Sequence, residues 1–313
     1  MPAGSCWPAP RGSGVETFAG VDGGGTRTTL VLADGSGREI LRRVGGAGLV
    51  DPRNPLASAA LVAGLVRGAM ADAGLTDPPA ALCAGLAGVG NETERLAVEN
   101  ALAAEGVAGR VRIVTDGEIA LEGALGGGAG VLIIAGTGSV AFGRGEDGRV
   151  ERCGGWGMFV GDEGSGYSIG RSGIIAALRA ADGRGPATTL LASLMAEMGV
   201  DTASGIPPWV GRAAKGDIAA LSRHVTAAAD AGDGVALEVL RHEAGELALH
   251  PRALARVLGP WTAPVSVVFH GGVLSSPLYA RLVTEALAGG PQEFRVREPV
   301  ADAVAGALAL AMR

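Results

Sequence analysis

The sequence predicts an α/β protein built from two domains. Its 313 residues are about twice the ~150 that serve as a rough prior for one domain. Hydrophobic residues make up 48% of the chain and charged residues 19%, which leaves enough apolar surface for a substantial core. A pattern of three strands followed by alternating helices and strands also occurs twice along the chain.

The first domain begins with three short strand-like segments separated by glycine-containing turns, at Thr17–Asp22, Thr28–Ala33 and Glu39–Val44. Apolar residues at helical spacing then predict a helix from Leu56 to Ala73. Strand and helix patterns alternate through the rest of this half, at Ala80–Leu86, Glu92–Ala104 and Val111–Thr115.

The second domain repeats this order after Gly117, with strand patterns at Val131–Ala135, Val140–Arg144 and Val150–Cys153. Helical patterns follow at Ser168–Ala181, Thr188–Met198, Asp217–Ala231 and Val235–Leu258. Pro251 is expected to break or kink the last of these helices. The chain then closes with a strand, a helix, a strand and a helix, at Val265–His270, Pro277–Ala288, Phe294–Val296 and Asp302–Met312.

These patterns predict three parts of the chain. Residues 1–16 are expected to be a disordered N-terminal extension, because they are rich in Pro, Gly and Ser and lack the apolar region of a secretory signal. We predict a small N-terminal domain from residues 17–116 together with 300–313, and a large C-terminal domain from residues 117–299. Two such domains facing a cleft would suit a ligand that is enclosed when they close.

Charge and cysteine content exclude several classes of function. The 32 acidic residues outnumber the 26 Lys and Arg residues, which argues against a protein held on nucleic acid or an anionic membrane by bulk charge. No segment reaches the ~20 apolar residues that cross a bilayer. Cys6, Cys83 and Cys153 lie far apart, so neither a zinc site nor a disulfide scaffold is predicted. We therefore predict a cytoplasmic location.

Three glycine-rich loops follow predicted strands, and each could bring backbone N–H groups close to a phosphate or a nucleotide. In the first, Asp22 could hold Mg²⁺ through water and Thr26 could donate to a phosphate, the alternative being a plain hairpin. The second runs from Gly136 to Ser139, and the third contains Gly271-Gly272, where a purine could lie against the backbone. For these two, a glycine-rich hairpin and a simple strand-to-helix turn are the alternatives.

Two further segments carry acidic side chains. Asp116 follows a buried-looking strand, where α/β proteins place ligands, and could act as a general base toward a hydroxyl or simply cap the helix predicted at 117–125. The loop from Cys153 to Gly166 surrounds Trp156 with six glycines and two acids. An aromatic face beside carboxylates suits a sugar ring, although a glycine-rich surface loop is the alternative.

Taken together, five motifs in this order resemble the BadF/BadG/BcrA/BcrD-type ATPase family: GVDGGGTRT, VTDGE, IAGTGSV, CGGWGMFVGDEGSGY and FHGGVLSSPLY. They look most like the N-acetylglucosamine kinase and glucosamine kinase branch of the actin, Hsp70 and sugar-kinase superfamily. The resemblance covers residues 18–312 and implies two ribonuclease H-like domains of the actin-like ATPase type. It also implies ATP and Mg²⁺ as cofactors, an amino sugar phosphorylated at its 6-hydroxyl, most simply N-acetylglucosamine, and a homodimer.

The resemblance further implies a role for each motif. Asp116 matches the base that takes the proton from the sugar hydroxyl, and Asp22 lies near the metal. The other matched positions are phosphate-binding (Gly23, Gly24, Gly25, Thr26, Gly136, Thr137, Gly138 and Ser139), adenosine-binding (Gly271, Gly272 and Val273) and sugar-binding (Ala87, Gly88, Asp116, Gly155, Trp156 and Asp162).

Three departures from the family pattern lie on the sugar side. Residues 45–50 lack the expected sugar-contacting asparagine, although Asn54 is close by. Val140 stands where animal N-acetylglucosamine kinases have an asparagine, and Ala87 where a serine is common. Glucosamine and N-acetylmuramic acid are therefore kept as alternative substrates.

Other classes fit the sequence less well. An iron–sulfur ATPase that activates acyl-CoA dehydratases would need a cysteine just before the second glycine-rich loop, and there is none. A non-catalytic sugar sensor is disfavoured because no helix-turn-helix precedes the first strand and Asp116 is retained. A ROK-type sugar kinase would bring a cysteine-rich zinc motif, which is missing.

Overall fold

The computed structural model describes residues 16–313, so the predicted N-terminal extension lies, except for Glu16, outside the described residues. Two compact units make up this part of the chain. The first contains the residues up to Gly127 together with Val300–Arg313, and the second contains Gly128–Pro299.

The elements follow the predicted order. The strands are β1 Thr17–Gly23, β2 Thr28–Asp34, β3 Glu39–Gly45, β4 Ala81–Leu86, β5 Arg110–Thr115, β6 Gly130–Ala135, β7 Ser139–Arg144, β8 Val150–Gly154, β9 Val265–His270 and β10 Phe294–Arg297. The helices are α1 Leu56–Asp72, α2 Glu92–Ala104, α3 Asp116–Leu125, α4 Gly166–Ala181, α5 Leu190–Met198, α6 Ile206–Val210, α7 Lys215–Ala220, α8 Ser222–Asp230, α9 Gly234–Leu258, α10 Pro277–Ala288 and α11 Ala303–Ala311, with a 3-10 turn at Ala203–Gly205.

The first unit is built on a mixed sheet with the strand order β3-β2-β1-β4-β5. β1, β2 and β3 are antiparallel neighbours, whereas β4 runs parallel to both β1 and β5. Val21, Leu30 and Val62 are fully buried in the cluster formed with α1 and α2. Ile119 of α3 and Ala307 of α11 are fully buried in a second cluster with residues of β4 and β5.

The second unit repeats this topology, with the order β8-β7-β6-β9-β10 and its first strand in the centre. β6, β7 and β8 are antiparallel neighbours, and β9 runs parallel to β6 and β10. The predicted repeat of strands is therefore confirmed, as is the α/β class. Val131, Ile133 and Leu247 are fully buried in a large core to which helices α4, α5, α8, α9 and α10 contribute.

Two helical predictions differ from the structure. The helix predicted at Asp217–Ala231 is divided into α7 and α8 at Leu221, where the Ser222 hydroxyl donates to the carbonyl of Ala219 at 2.7 Å. The helix predicted to break or kink at Pro251 does not break there, since α9 continues to Leu258. Proline cannot donate to the carbonyl four residues earlier, and His250 Nδ1 donates to that Leu247 oxygen instead, at 3.1 Å.

The predicted domain boundary after Asp116 also differs from the compact units, which divide after Gly127. The difference is helix α3, because this helix packs against α11 and the sheet of the first unit. A buried glycine on each helix permits the approach, Gly123 on α3 and Gly306 on α11.

Cys83 is buried and Cys153 is half-buried, both with free thiols, while Cys6 lies outside the described residues. Burial raises the pKa of the Cys83 thiol to about 12 and raises the pKa of Cys153 as well, so both thiols stay neutral near pH 7. Between residues 16 and 313, no helix is long and apolar enough to cross a membrane.

Candidate functional site

The three parallel strands of the first unit end in one row. Gly23 of β1 is paired with Leu86 of β4, and Leu86 is paired with Thr115 of β5. Because neighbouring strands lie about 4.8 Å apart, the loops after them leave the sheet side by side. The row therefore brings together the predicted first phosphate motif, residues 23–26, the Ala87-Gly88 turn and Asp116.

The first phosphate motif forms a tight turn after β1. The Gly24 N–H donates to the carbonyl of Arg27 at 2.9 Å, and Gly24 accepts a bond from the Gly48 N–H. Gly25 and Thr26 are exposed, and their N–H groups donate to no other group in the described part of the chain. Unpaired N–H groups in a glycine turn can receive an anion.

Asp116 is the first residue of α3 and is exposed. Thr115, not Asp116, caps this helix: its hydroxyl accepts the Glu118 N–H at 3.2 Å, and Glu118 in turn accepts the Thr115 N–H at 2.9 Å. Asp116 Oδ1 accepts the N–H of Gly117 at 2.9 Å. The capping alternative for Asp116 is therefore excluded, and its carboxylate faces solvent at the end of β5.

The predicted second phosphate motif, residues 136–139, and the predicted adenosine motif, residues 271–273, are neighbours in the second unit. Ile134 near the end of β6 is paired with His270 at the end of β9. The loop after β9 then folds back, and the Val273 N–H donates to the carbonyl of Ala135 at 3.2 Å. Gly271-Gly272 thus follow the strand directly beside the one that leads into Gly136.

The second phosphate loop is tied to the start of α4. The Gly166 N–H donates to the carbonyl of Gly136 at 2.8 Å, and the Tyr167 N–H donates to that of Thr137 at 3.2 Å. The loop carbonyls are thereby turned toward the helix. The N–H groups of Thr137 and Gly138 donate to nothing else among residues 16–313, so they are open to an anionic ligand.

The predicted sugar loop presents apolar side chains to solvent. Trp156 is 72% exposed, and Phe159 and Val160 beside it are also exposed. The Arg152 guanidinium lies 5.4 Å from the centre of the Trp156 ring and donates to the carbonyl of Gly155 at 2.8 Å. This contact holds the indole by cation–π attraction and leaves most of its surface available.

Asp162 lies in a different environment from Trp156. It is buried and has a φ of 63°, the one non-glycine residue with positive φ in the described ranges. Its Oδ1 accepts the Ser139 N–H at 3.2 Å, and its Oδ2 pairs with the Lys215 ammonium at 2.6 Å. Both carboxylate oxygens are therefore engaged at the second phosphate loop.

A buried clamp fixes the end of the sugar loop. The Gly164 N–H donates to Glu243 Oε2 at 3.0 Å, and its carbonyl accepts the Tyr279 hydroxyl at 2.9 Å. Glu243 Oε1 also accepts the Ser172 hydroxyl at 2.6 Å. Burial, and next the nearby Glu243 charge, raise the pKa of Tyr279 well above its usual value, so the phenol remains a hydrogen-bond donor.

A sequence profile of the BadF/BadG/BcrA/BcrD ATPase family matches residues 19–311. The chain belongs to this family. The predicted resemblance is thereby confirmed, and ATP use follows from the family.

Two relatives of this chain are named as sugar kinases. An N-acetylmuramic acid/N-acetylglucosamine kinase from Clostridium acetobutylicum is 31% identical over 263 residues, which cover 83% of this chain and 86% of that protein. An N-acetyl-D-glucosamine kinase from Dictyostelium discoideum is 32% identical over 206 residues, or 62% of this chain and 64% of that protein.

The fold of this chain is also similar to that of a solved structure. The crystal structure of a proposed N-acetylglucosamine kinase from Chromobacterium violaceum gives a TM-score of 0.71 at 29% identity, covering 96% of this chain and 99% of that one. The predicted pair of ribonuclease H-like domains of the actin-like ATPase type is confirmed by this match and by the two sheets of identical strand order.

Sequence reasoning missed three residues that organise the site of this ATPase-family chain. Glu243 and Tyr279 lie on helices α9 and α10 and gave no sequence signal, since only the fold brings them to Gly164. Lys215 had a signal that was overlooked, because it is the only lysine in the chain. A cavity of about 850 Å³ between α4 and α9 contains none of the predicted site residues.

Proposed function

We propose that this chain is an ATP-dependent kinase that phosphorylates N-acetylglucosamine at its 6-hydroxyl. The observation that carries the proposal is the row at the end of β1, β4 and β5, which aligns a phosphate-type turn with the exposed carboxylate of Asp116. Two relatives more than 30% identical to this chain are named as N-acetylglucosamine kinases, which supports the choice of this sugar as the substrate.

ATP would be held by backbone groups. Each unit offers such groups by itself: the open N–H groups of Gly25 and Thr26 suit phosphate oxygens in the first unit, and those of Thr137 and Gly138 do so in the second. Gly271-Gly272 would admit the adenosine beside the second phosphate loop. These positions are the ones expected from the family motifs.

Mg²⁺ fits the residues present. Asp22 is a half-buried carboxylate at the end of β1, next to Gly23 and the phosphate turn. Magnesium typically binds through one or two carboxylates, keeps several waters and takes its remaining ligands from substrate phosphates. Asp22 would therefore hold the ion, which when bound neutralises charge that develops on the phosphates.

The chemistry assigned to the protein is proton removal and positioning. Asp116 would accept the proton of the sugar 6-hydroxyl as that oxygen bonds to the terminal phosphorus of ATP and the bond to ADP breaks. Backbone N–H groups of the glycine turn after β1, which lies in the same row as Asp116, would stabilise the negative charge during transfer.

The sugar would be held against Trp156. A pyranose ring has apolar C–H faces that pack on an exposed indole, and Gly155 lies next to Trp156 in the same loop. In the first unit, Ala87 and Gly88 follow β4 in the row that contains Asp116, and the family motifs make them the sugar-binding positions of that unit. Asp162 would support the loop instead of contacting the sugar, because its carboxylate already binds the Ser139 N–H and the Lys215 ammonium. N-acetylmuramic acid is a second candidate substrate, since the Clostridium relative is named for both sugars.

The proposal is tested by coupled ADP release with Mg-ATP against N-acetylglucosamine, glucosamine, N-acetylmuramic acid, N-acetylmannosamine and glucose. We expect strong stimulation by N-acetylglucosamine. Stimulation by none of these sugars, with ATP binding intact, would contradict the kinase and favour a non-catalytic sugar sensor.

Asp116→Asn should lower kcat by about 100-fold or more while Mg-ATP still binds, because the amide cannot accept the proton. The measurement is steady-state kinetics together with calorimetric titration of ATP. Glu92→Gln is a matched control, since Glu92 is also an exposed acid at the start of a helix. Unchanged turnover of Asp116→Asn would refute the assignment.

A further inference from the structure

Lys215 stands out by composition. It is the only lysine among 313 residues, and every other side chain of the Lys and Arg class is an arginine. It is the first residue of the short helix α7, far in sequence from every motif that predicted the site. Such a position needs a physical explanation.

The fold carries this side chain to the second phosphate loop. Its ammonium lies 2.6 Å from Asp162 Oδ2, and the Asp162 side chain is 4% exposed. The other oxygen of Asp162 accepts the backbone N–H of Ser139, at the end of the loop. Asp162 thus connects the ammonium to the loop through a buried carboxylate.

Gly138 shows how close the ammonium comes to the loop backbone. A Cβ atom at this position would lie 2.8 Å from Lys215 Nζ and 2.6 Å from Asp162 Oδ1. Both contacts are shorter than a carbon atom tolerates, so any other residue would displace the pair. The absence of a side chain at Gly138 therefore permits the ammonium to lie against the loop.

The ion pair with Asp162 leaves part of the Lys215 ammonium available to another anion. The contact with Asp162 is an ion pair, the Lys215 side chain is 34% exposed, and an ammonium group carries three N–H donors, so it can bind a second anion. The adjacent N–H groups of Thr137 and Gly138 are open in the described part of the chain. A compact cation beside open backbone N–H groups is an arrangement that binds phosphate.

We propose that Lys215 binds the phosphate chain of the nucleotide at the second phosphate loop, and that Asp162 positions its ammonium there. The inference rests on the proposed function, because it requires a nucleotide at this loop. It adds to the backbone loops a charged side chain that no glycine-rich motif contains.

The single lysine permits a direct test on the unaltered protein. Sulfo-N-hydroxysuccinimide acetate modifies amines, and cleavage at arginine then releases residues 213–223, which contain Lys215. We expect saturating Mg-ATP to slow acetylation of Lys215 about tenfold or more, whereas adenosine at saturation has little effect. The α-amino group of the chain reports the reactivity of the reagent in the same sample.

Variants give an independent readout. Lys215→Met should weaken Mg-ATP binding about tenfold or more and leave adenosine binding within about twofold, as measured by calorimetric titration. Lys215→Arg should restore part of the ATP affinity, because it keeps the charge. Arg212→Met is the control, since Arg212 is an exposed cation three positions away.

The outcomes separate this inference from the proposed function. ATP binding with undiminished labelling of Lys215 would overturn the inference and leave the kinase intact. Equal losses of ATP and adenosine affinity in Lys215→Met would also overturn it, because they would indicate a structural role. Absence of nucleotide binding to the unaltered protein would overturn the proposed function and the inference with it. Should Lys215→Met fail to fold, labelling of the unaltered chain decides.

Discussion

At the scale of single residues, Gly154 shows how the sugar loop depends on a missing side chain. Its φ is 73°, and a Cβ atom there would overlap the imidazole of His250. His250 is buried and cannot withdraw freely, since its Nδ1 holds the Leu247 carbonyl that Pro251 leaves without a donor. The start of the loop and the middle of α9 are therefore fitted to each other.

Gly154→Ala should lower the free energy of unfolding by about 2 kcal/mol or more, because left-handed backbone strain and overpacking add. Urea denaturation followed by circular dichroism measures the change. Gly148→Ala is the matched control: its φ is 82°, but the space around its Cβ is open. In the control we expect the free energy of unfolding to fall by about 1 kcal/mol. Equal losses in both variants would show that His250 moves aside without destabilising the fold.

At the scale of an element, Asp233 anchors the 25-residue helix α9. Its Oδ1 accepts the N–H groups of Val235 and Ala236, and its Oδ2 accepts the N–H and hydroxyl of Thr189. Desolvation acts to raise the pKa of Asp233, but the hydrogen bonds from Thr189, Ala236 and Thr188 outweigh it and lower the pKa to about 2. The carboxylate thus joins α9 to the segment before α5.

Asp233→Ala should lower the free energy of unfolding by about 1 kcal/mol at pH 7, as loss of a helix cap does. Because the pKa is lowered in the folded state, this stabilisation is present above the unfolded value near 3.8 and is lost as the pH falls toward 2. The difference between wild type and variant should therefore shrink between pH 5 and pH 2 in urea titrations. The exposed Asp230→Ala is the control, and a pH-independent difference would contradict the prediction.

At the scale of the whole molecule, the first unit is built from two separate segments of the chain, the residues up to Gly127 and residues 300–313. Residues 300–313 return after the second unit, and α11 packs on α3 and β1. The contact between helices requires Gly306, since a Cβ atom there would overlap the carbonyl of Ile119 and approach the N atom of Gly123 within 2.5 Å. Folding of the first unit therefore depends on the last residues of the chain.

Gly306→Ala should destabilise the first unit by about 2 kcal/mol, because the added methyl meets backbone that cannot rotate away. In a Trp7→Phe background, the remaining tryptophans all lie in the second unit, so circular dichroism should shift to lower urea more than tryptophan fluorescence does. Gly64→Ala in α1, which has open space, should instead stabilise the unit slightly. Identical shifts in both signals would contradict selective destabilisation.

Local sequence patterns were sufficient to predict the order of elements, the repeat of two sheets and the positions of the glycine-rich loops. They also singled out Asp116, whose catalytic role stays a prediction. These features follow from local patterns: apolar periodicity, turn residues, and polar residues directly after buried strands. The helix break at Leu221 and the continuation of α9 through Pro251 were not predictable in this way. Each is accompanied by a hydrogen bond from one particular side chain to the helix backbone, from Ser222 in the first case and from His250 in the second.

The side chains that support these loops are fixed by tertiary contacts. The tertiary structure assigned helix capping to Thr115 rather than Asp116, and it paired the Asp162 carboxylate with Ser139 and Lys215. Lys215 lies more than 50 positions from Asp162, and no local pattern connects them. Contacts across such separations arise when packed helices and strands bring distant segments together, so their partners are fixed by the fold and not by the neighbouring sequence.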